Sequence, residues 1–159
     1  MRFLLPFFEW SDRTWVGTTI NHSKWLFPAI EAVHIVALTL LLGAIVFMNL
    51  RLLGVTFRAR PVSELAEELA PWTLCSLVII LVTGAVLFAS EATKAYSNGP
   101  FQVKMVFLLG AILFHFTIYR KVTNMGEAYA HPKWGRLAAA VSLTLWFGVG
   151  WAGRAIGFF

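Results

Sequence analysis

Long apolar runs that carry no charge are the feature that most restricts how this chain can fold. No Asp, Glu, Lys or Arg lies between Ala32 and Leu50, and none lies between Leu69 and Ser90. About 20 consecutive apolar residues are enough for a helix to cross the hydrocarbon core of a bilayer. We therefore expect an integral membrane protein, and membrane lipid is its first expected partner.

Charged and turn-forming residues divide the chain into four predicted spans. Charges return after Arg51, the turn Asn98-Gly99-Pro100 follows the second apolar run, and helix-breaking residues lie between Arg120 and Arg136. The predicted spans cover residues 25–53, 69–90, 101–120 and 135–155 of a single membrane domain, residues 1–159. The predicted fold is all-α, an integral membrane four-helix bundle with short interfacial helices.

The segments outside the spans are expected at the membrane surface. Ser63 is placed to cap a short acidic helix in the first connector. Pro71 would then occupy the first turn of the second span, where a missing amide donor costs nothing. The N-terminal MRFLLPFFEW has no clear cleavage site and is expected to remain as an interfacial segment.

The charge pattern excludes a nucleic-acid-binding protein, although the net charge is +5. The basic residues lie between and beside apolar runs and do not form one polar face. The connectors after spans one and three hold slightly more of them than the other side, which slightly favours both termini in the periplasm. The single Cys75 excludes an internal disulfide, and no nucleotide-binding loop, HExxH, CxxC or CxxCH motif is present. No catalytic residues are predicted.

Two histidines inside predicted spans are the main candidates for chemistry, because ionisable groups in lipid are expensive and usually functional. Glu31 precedes His34 by three positions, so the carboxylate can orient or charge the imidazole. His115 lies in Leu-Phe-His-Phe, one turn before Tyr119. Each histidine is predicted to bind haem or a metal. The alternative for each is a packing residue that is hydrogen-bonded across the bundle.

Other polar and sulphur-containing side chains form a second tier of candidates. Met48 and Met105 are possible soft ligands for copper or haem iron, or otherwise core fillers. Four charged residues map toward one membrane face, where they predict a partly buried ion-pair network or a proton or ion entry site: Glu31, Glu91, Lys104 and Arg154.

Most of the chain also shows a family resemblance. It is carried by WLFPAIEAVHIVALTLLLGAIVFMNLRLLG, ELAPWT, TGAVLFASEATKAY, FQVKM, FHFTIYR and LWFGVGWAGR. These strings resemble an uncharacterised bacterial family of small four-span membrane proteins, which is distantly similar to CopD-type copper resistance membrane domains and to four-helix b-type cytochromes. The resemblance implies a bacterial inner membrane location and a haem or copper ligand role for His34 and His115.

Three functional hypotheses follow. The first is a membrane electron-transfer protein that binds haem b through His34 and His115 and exchanges electrons with a quinone or a cytochrome. The second is a CopD-like copper or proton/ion permease with Glu31, His34 and Met105 at the metal site, Glu91 at its mouth and His115 at the far end. The third is a non-catalytic structural subunit, in a homo-oligomer or beside an enzyme.

The depth of the two histidines separates these hypotheses. A shared haem requires histidines at one level, a transport path requires them at different levels, and a structural role is indifferent to depth. At a rise of 1.5 Å per residue, the predicted boundaries place His34 and His115 roughly 7 to 18 Å apart in depth.

Overall fold

A computed structural model describes residues 5–56, 59–124 and 132–158. The described chain is all-α and contains no strand, as the sequence predicts. Eight α-helices, a π-helical turn and a terminal 3-10 turn follow one another in this order: α1 Leu5–Asp12, α2 Trp15–His22, α3 Leu26–Leu52, α4 Val62–Ser90, α5 Ala92–Ser97, α6 Gly99–Phe114, the π-turn His115–Tyr119, α7 Arg120–Asn124, α8 Pro132–Ala155 and the 3-10 turn Ile156–Phe158.

Within the described residues, three helical stretches are long and apolar enough to cross a membrane: Leu26–Leu53, Val62–Ser90 and Gly99–Thr123. The fourth long helix, α8, has 24 residues but is less apolar. Four glycines and three tryptophans interrupt its aliphatic residues, and Lys133, Arg136 and Arg154 lie near its ends. The structure therefore matches the predicted helices closely, while composition supports three of the four predicted crossings.

The four long helices enclose one hydrophobic core. α3 packs along α4, α8 packs along both α3 and α6, and the core draws residues from all four helices. The backbones of α4 and α6 stay farther apart than those of the other neighbouring long helices, and the two helices meet through side chains, as where the Phe88 and Phe101 rings stack 5.6 Å apart. This wider gap between the α4 and α6 backbones is called the seam below.

The first half of α4 corrects two sequence predictions. The helix begins at Val62 with Pro61 as its N-cap, so Ser63 lies inside the first turn and caps nothing. The predicted surface helix and the second span are one continuous helix of 29 residues. Pro71 consequently lies inside this helix and not in its first turn. The uninterrupted apolar face that follows Pro71 outweighs the loss of one amide donor.

The predicted turn at Asn98 is instead the beginning of α6. Asn98 Oδ1 accepts a hydrogen bond from the Phe101 amide at 3.0 Å, and Pro100 lies at the start of the helix, where proline is tolerated. At its other end α6 passes into the π-turn His115–Tyr119 and then into α7, which contacts α4. The π-turn therefore carries the chain across one end of the seam. Part of the predicted break before Arg136, residues 125–131, lies outside the described residues.

The N-terminal segment forms the two short helices α1 and α2, which pack on the end of the bundle that holds α5. Phe8 contacts Phe88 and Tyr96, with ring centroids 5.3 and 5.2 Å away. At the same end, Asn98 Nδ2 donates to the Ile156 carbonyl at 3.4 Å. Both ends of the described chain thus lie at one end of the bundle, as four antiparallel passes require.

Candidate cofactor and ligand sites

His34 is held by a hydrogen bond from α3 to α4. Its Nδ1 lies 2.8 Å from Thr83 Oγ1, and Thr83 Oγ1 lies 2.6 Å from the Ile79 carbonyl oxygen. A hydroxyl has one proton, and Thr83 donates it to the carbonyl oxygen, which can only accept. Thr83 Oγ1 therefore accepts from His34 Nδ1–H. This assignment leaves the lone pair of the imidazole on Nε2, where it is available to a ligand.

All four long helices contribute to the surroundings of His34. A Cβ placed on Gly84 of α4 would lie 3.4 Å from His34 Cε1, so the glycine lets the ring pack closely on that helix. Lys104 of α6 lies within electrostatic range of the ring. The Lys104 side chain in turn covers Gly153 of α8, where a Cβ would lie 3.7 Å from Nζ. An imidazole and an ammonium thus share one level of the bundle.

The structure does not gather the four charged residues predicted as a network. Glu91 pairs with Lys94 at 2.6 Å, because the two lie three positions apart at the start of α5. The Arg154 guanidinium lies over the Phe158 ring, 5.2 Å from its centroid. Glu31 is exposed on α3, and no ion pair joins Glu31, Glu91, Lys104 and Arg154 to one another.

The predicted metal ligands differ in their surroundings. The His34 ring is bonded to α4, whereas the Glu31 and Met105 side chains are both exposed. Within the described ranges, no three His, Cys, Asp or Glu side chains form a group that can hold a metal ion.

His115 begins the π-turn and forms a second, separate polar site. Its ring stacks on Tyr119, with centroids 5.3 Å apart and planes 25° apart, and meets Phe116 edge-on. His115 Nδ1 and the Tyr119 hydroxyl are both buried and have no hydrogen-bond partner in the described part of the chain. Buried polar atoms of this kind are rare and indicate a missing partner. π-turns also occur often at functional sites.

A cavity of about 480 Å³ adjoins these two side chains. Its apolar wall comes from α3 and α4 and includes Ala44, Ile45 and Leu77. Its polar groups include His115, Tyr119 and Thr73, and the exposed Glu67 and Arg120 lie at its rim. The His115 cavity, as it is called below, has the size and the lining of a small-molecule site.

His34 and His115 do not share a site. On α3, His34 lies ten positions before Ala44, the first residue of that helix that lines the His115 cavity, and ten positions of helix correspond to about 15 Å. Ala37, Leu41 and Ile80 of the hydrophobic core lie between the two sites. The separation agrees with the staggered depths derived from the sequence. The two histidines therefore cannot serve as the two axial ligands of one haem in this arrangement.

A comparison with protein families gives one match, which covers residues 7–159. The chain belongs to DUF6644, a family of unknown function. No curated protein and no solved structure matches it. A functional assignment for this DUF6644 protein consequently depends on the chemistry of its two sites.

Sequence reasoning missed several polar residues of this DUF6644 protein. Thr83 partners His34 across 49 positions, and no local pattern signals such a pair. Asn49 was detectable, since it is the most polar uncharged residue of its apolar run. It is fully buried and donates to Ser142 Oγ of α8 at 3.2 Å, while its Oδ1 has no partner among the described residues. This bond fixes α3 against α8.

Proposed function

We propose that this DUF6644 protein is a membrane electron-transfer protein that binds haem b, with His34 as an axial ligand. The observation that carries the proposal is the His34–Thr83–Ile79 hydrogen-bond chain, which directs the imidazole lone pair to Nε2. Histidine ligands of metals almost always donate their other ring N–H to an oxygen in this way. A packing histidine that is hydrogen-bonded across the bundle would have the same tautomer, so the spectroscopic test below decides between the two roles.

Two features of the surroundings of His34 support the proposal. Gly84 lets the His34 ring pack closely on α4, and the Lys104 ammonium, which lies within electrostatic range of the ring, would provide a cation for the propionate groups of a haem. A haem supplies one-electron chemistry when it is bound. His34 would hold the iron, Thr83 would fix the ring, and Lys104 would neutralise a carboxylate. Because His115 lies at another level, it is not the second axial ligand in this proposal.

The membrane location is part of the proposal. Three helices of sufficient length and apolarity support it, and α8 completes a four-span bundle although its composition is less apolar. Exposed apolar side chains along the outside of α3, α4 and α6 suit lipid contact. We place the protein in a bacterial inner membrane with both termini in the periplasm, as a homo-oligomer or as the partner of a redox protein.

Absorption spectroscopy tests the haem proposal. The protein is purified from haem-replete cells, and oxidised and dithionite-reduced spectra are recorded beside His34→Ala and His115→Ala. We expect a Soret band and sharp reduced α and β bands in the wild type and in His115→Ala, and their loss in His34→Ala. A featureless wild-type spectrum from folded protein would refute the proposal. Bands that are lost only in His115→Ala would show that haem binds at His115 and not at His34.

Copper transport is a second candidate, and the pairing of Met48 with His115 favours it. Both residues line the His115 cavity, and a thioether with an imidazole is a donor set that selects Cu(I). The hydrophobic core between the two sites gives no polar path for an ion, which counts against transport. Saturable Cu(I) binding that is lost in Met48→Leu, with flux into vesicles, would favour it over electron transfer.

A further inference from the structure

The His115 cavity lies beside an opening in the bundle, at the end of the seam where α7 contacts α4. Leu74 of α4 and Phe116 of the π-turn both line the cavity, yet 53% and 42% of their surfaces are exposed. The cavity is therefore reached from the side of the bundle, between two apolar side chains. In the proposed bilayer, a molecule dissolved in the lipid would enter from this side, while the charged Glu67 and Arg120 at the rim would lie toward the headgroups.

The interior of the cavity requires a ligand with hydrogen-bonding groups. Tyr119 is only 4% exposed, and its hydroxyl has no partner among the described residues; the same is true of buried His115 Nδ1. An unpaired buried polar atom costs about 1–3 kcal/mol. Both rings line the cavity, although these two atoms have almost no accessible surface, so a small turn of either ring would bring its polar atom to a bound molecule. Two such atoms on stacked rings beside one cavity indicate a site that is completed by a ligand.

The chemistry of these two groups selects the class of molecule. A phenol hydroxyl and a neutral imidazole can each donate or accept a hydrogen bond. They therefore match a ligand whose oxygens accept in one redox state and donate in the other. The aromatic faces of Tyr119, His115 and Phe116 provide ring contacts, and Ala44, Ile45 and Leu77 provide an apolar wall.

We propose that the His115 cavity binds the headgroup of a membrane-dissolved quinone, in its quinone or quinol form. The carbonyl or hydroxyl oxygens of the headgroup bond to Tyr119 and His115, and the isoprenoid tail leaves between Leu74 and Phe116. This inference rests on the membrane location of the proposed function but not on haem, because the cavity and His34 are separate sites. The redox partner of the protein would then be a molecule dissolved in the membrane.

Binding is tested on the full-length protein in nanodiscs of quinone-free lipid. Ubiquinone-1 is titrated, and saturable binding is taken as the difference from empty nanodiscs. Tyr119→Phe removes one hydroxyl and keeps the stacked ring. Thr117→Val is the matched control, since its hydroxyl bonds to the Leu113 carbonyl on the exposed side of the same π-turn. Circular dichroism checks that each variant keeps its helix content.

We expect one saturable site in the wild type, a Kd raised about five- to tenfold in Tyr119→Phe by the loss of one hydrogen bond, and no change in Thr117→Val. Absence of saturable binding in the wild type, or equal effects of the two substitutions, would overturn the proposal. His34→Ala separates the two proposals, because it removes the haem ligand and leaves the His115 cavity intact. Quinone binding that survives in His34→Ala supports the inference whether or not haem is found.

Discussion

The Tyr119 ring stacks on the His115 ring at a centroid distance of 5.3 Å, yet the Tyr119 hydroxyl and His115 Nδ1 both lack a partner within the described ranges. The ring contact joins the two ends of the π-turn, while these two polar atoms stay unpaired. Such an arrangement gives up folding stability in the ligand-free protein. It leaves two hydrogen-bonding groups ready for a bound molecule.

Tyr119→Phe should stabilise the ligand-free protein by about 1 kcal/mol, because it removes a buried hydroxyl that has no partner. Thermal unfolding in detergent, followed by circular dichroism, measures the effect. If the cavity binds a quinone as proposed, the same substitution should weaken that binding, so stability and affinity should change in opposite directions. A fall in the unfolding temperature of several degrees without ligand would mean that the hydroxyl has a partner outside the described residues.

Gly148→Ala should destabilise the fold by about 1–3 kcal/mol through overpacking. A Cβ at position 148 would lie 2.5 Å from Phe107 Cδ1, so α6 and α8 would have to separate. Gly150→Ala on the same helix is the matched control, because nothing lies within 4 Å of a Cβ there. Unfolding temperatures in one detergent compare the two variants. Equal temperatures would contradict the close packing of α6 on α8.

If His34 binds haem as proposed, Thr83→Val should lower haem affinity about 10- to 100-fold, because it removes the oxygen that orients His34 while keeping the side-chain shape. Thr83→Ser keeps the hydroxyl and should retain most of the affinity. Haem titration of the apoprotein, read at the Soret band, measures both variants. Valine and serine variants with equal affinities would show that the hydrogen bond has no role in ligation.

Asn49→Ala should destabilise the bundle by about 1–3 kcal/mol, because the bond between α3 and α8 is lost and the Ser142 hydroxyl stays buried without its partner. Thr144→Val on α8 is the control, since its exposed hydroxyl bonds only to the Ala140 carbonyl of its own helix. Unfolding monitored by circular dichroism distinguishes the two. A neutral Asn49→Ala would mean that packing alone fixes these helices.

The helices were largely predictable from the sequence, and the exceptions have physical reasons. Leu26–Leu52 falls within one residue of the predicted first span, because hydrophobicity and charge mark both of its ends. Val62–Ser90 begins seven residues before its predicted start, because the charged residues in its first turns were interpreted as part of a connector. The preference of proline for the first turn of a helix also gave a wrong position for Pro71, which lies inside a long and well-packed helix that tolerates it.

The candidate sites were predictable only as single residues. His34 and His115 were recognisable because ionisable groups are rare in apolar helices. Their partners depend on how distant helices are placed, so neither Thr83 nor the 480 Å³ cavity has a local signature. The π-turn likewise follows from the course of the chain toward α4 and has no sequence pattern of its own. The predicted charged network does not form, because Glu91 forms an ion pair with Lys94 and the Arg154 guanidinium lies over the Phe158 ring.

The seam also affects how the bundle can move. The α3–α4 pair and the α6–α8 pair pack backbone to backbone chiefly where α3 meets α8, and α4 meets α6 through side chains such as Phe88 and Phe101. We expect the two pairs to rock about the line where α3 meets α8, which would widen or narrow the entrance between Leu74 and Phe116. In the proposed bilayer, tighter packing of the acyl chains would narrow this entrance. The rate at which a ligand reaches His115 would then depend on the physical state of the bilayer as well as on its concentration.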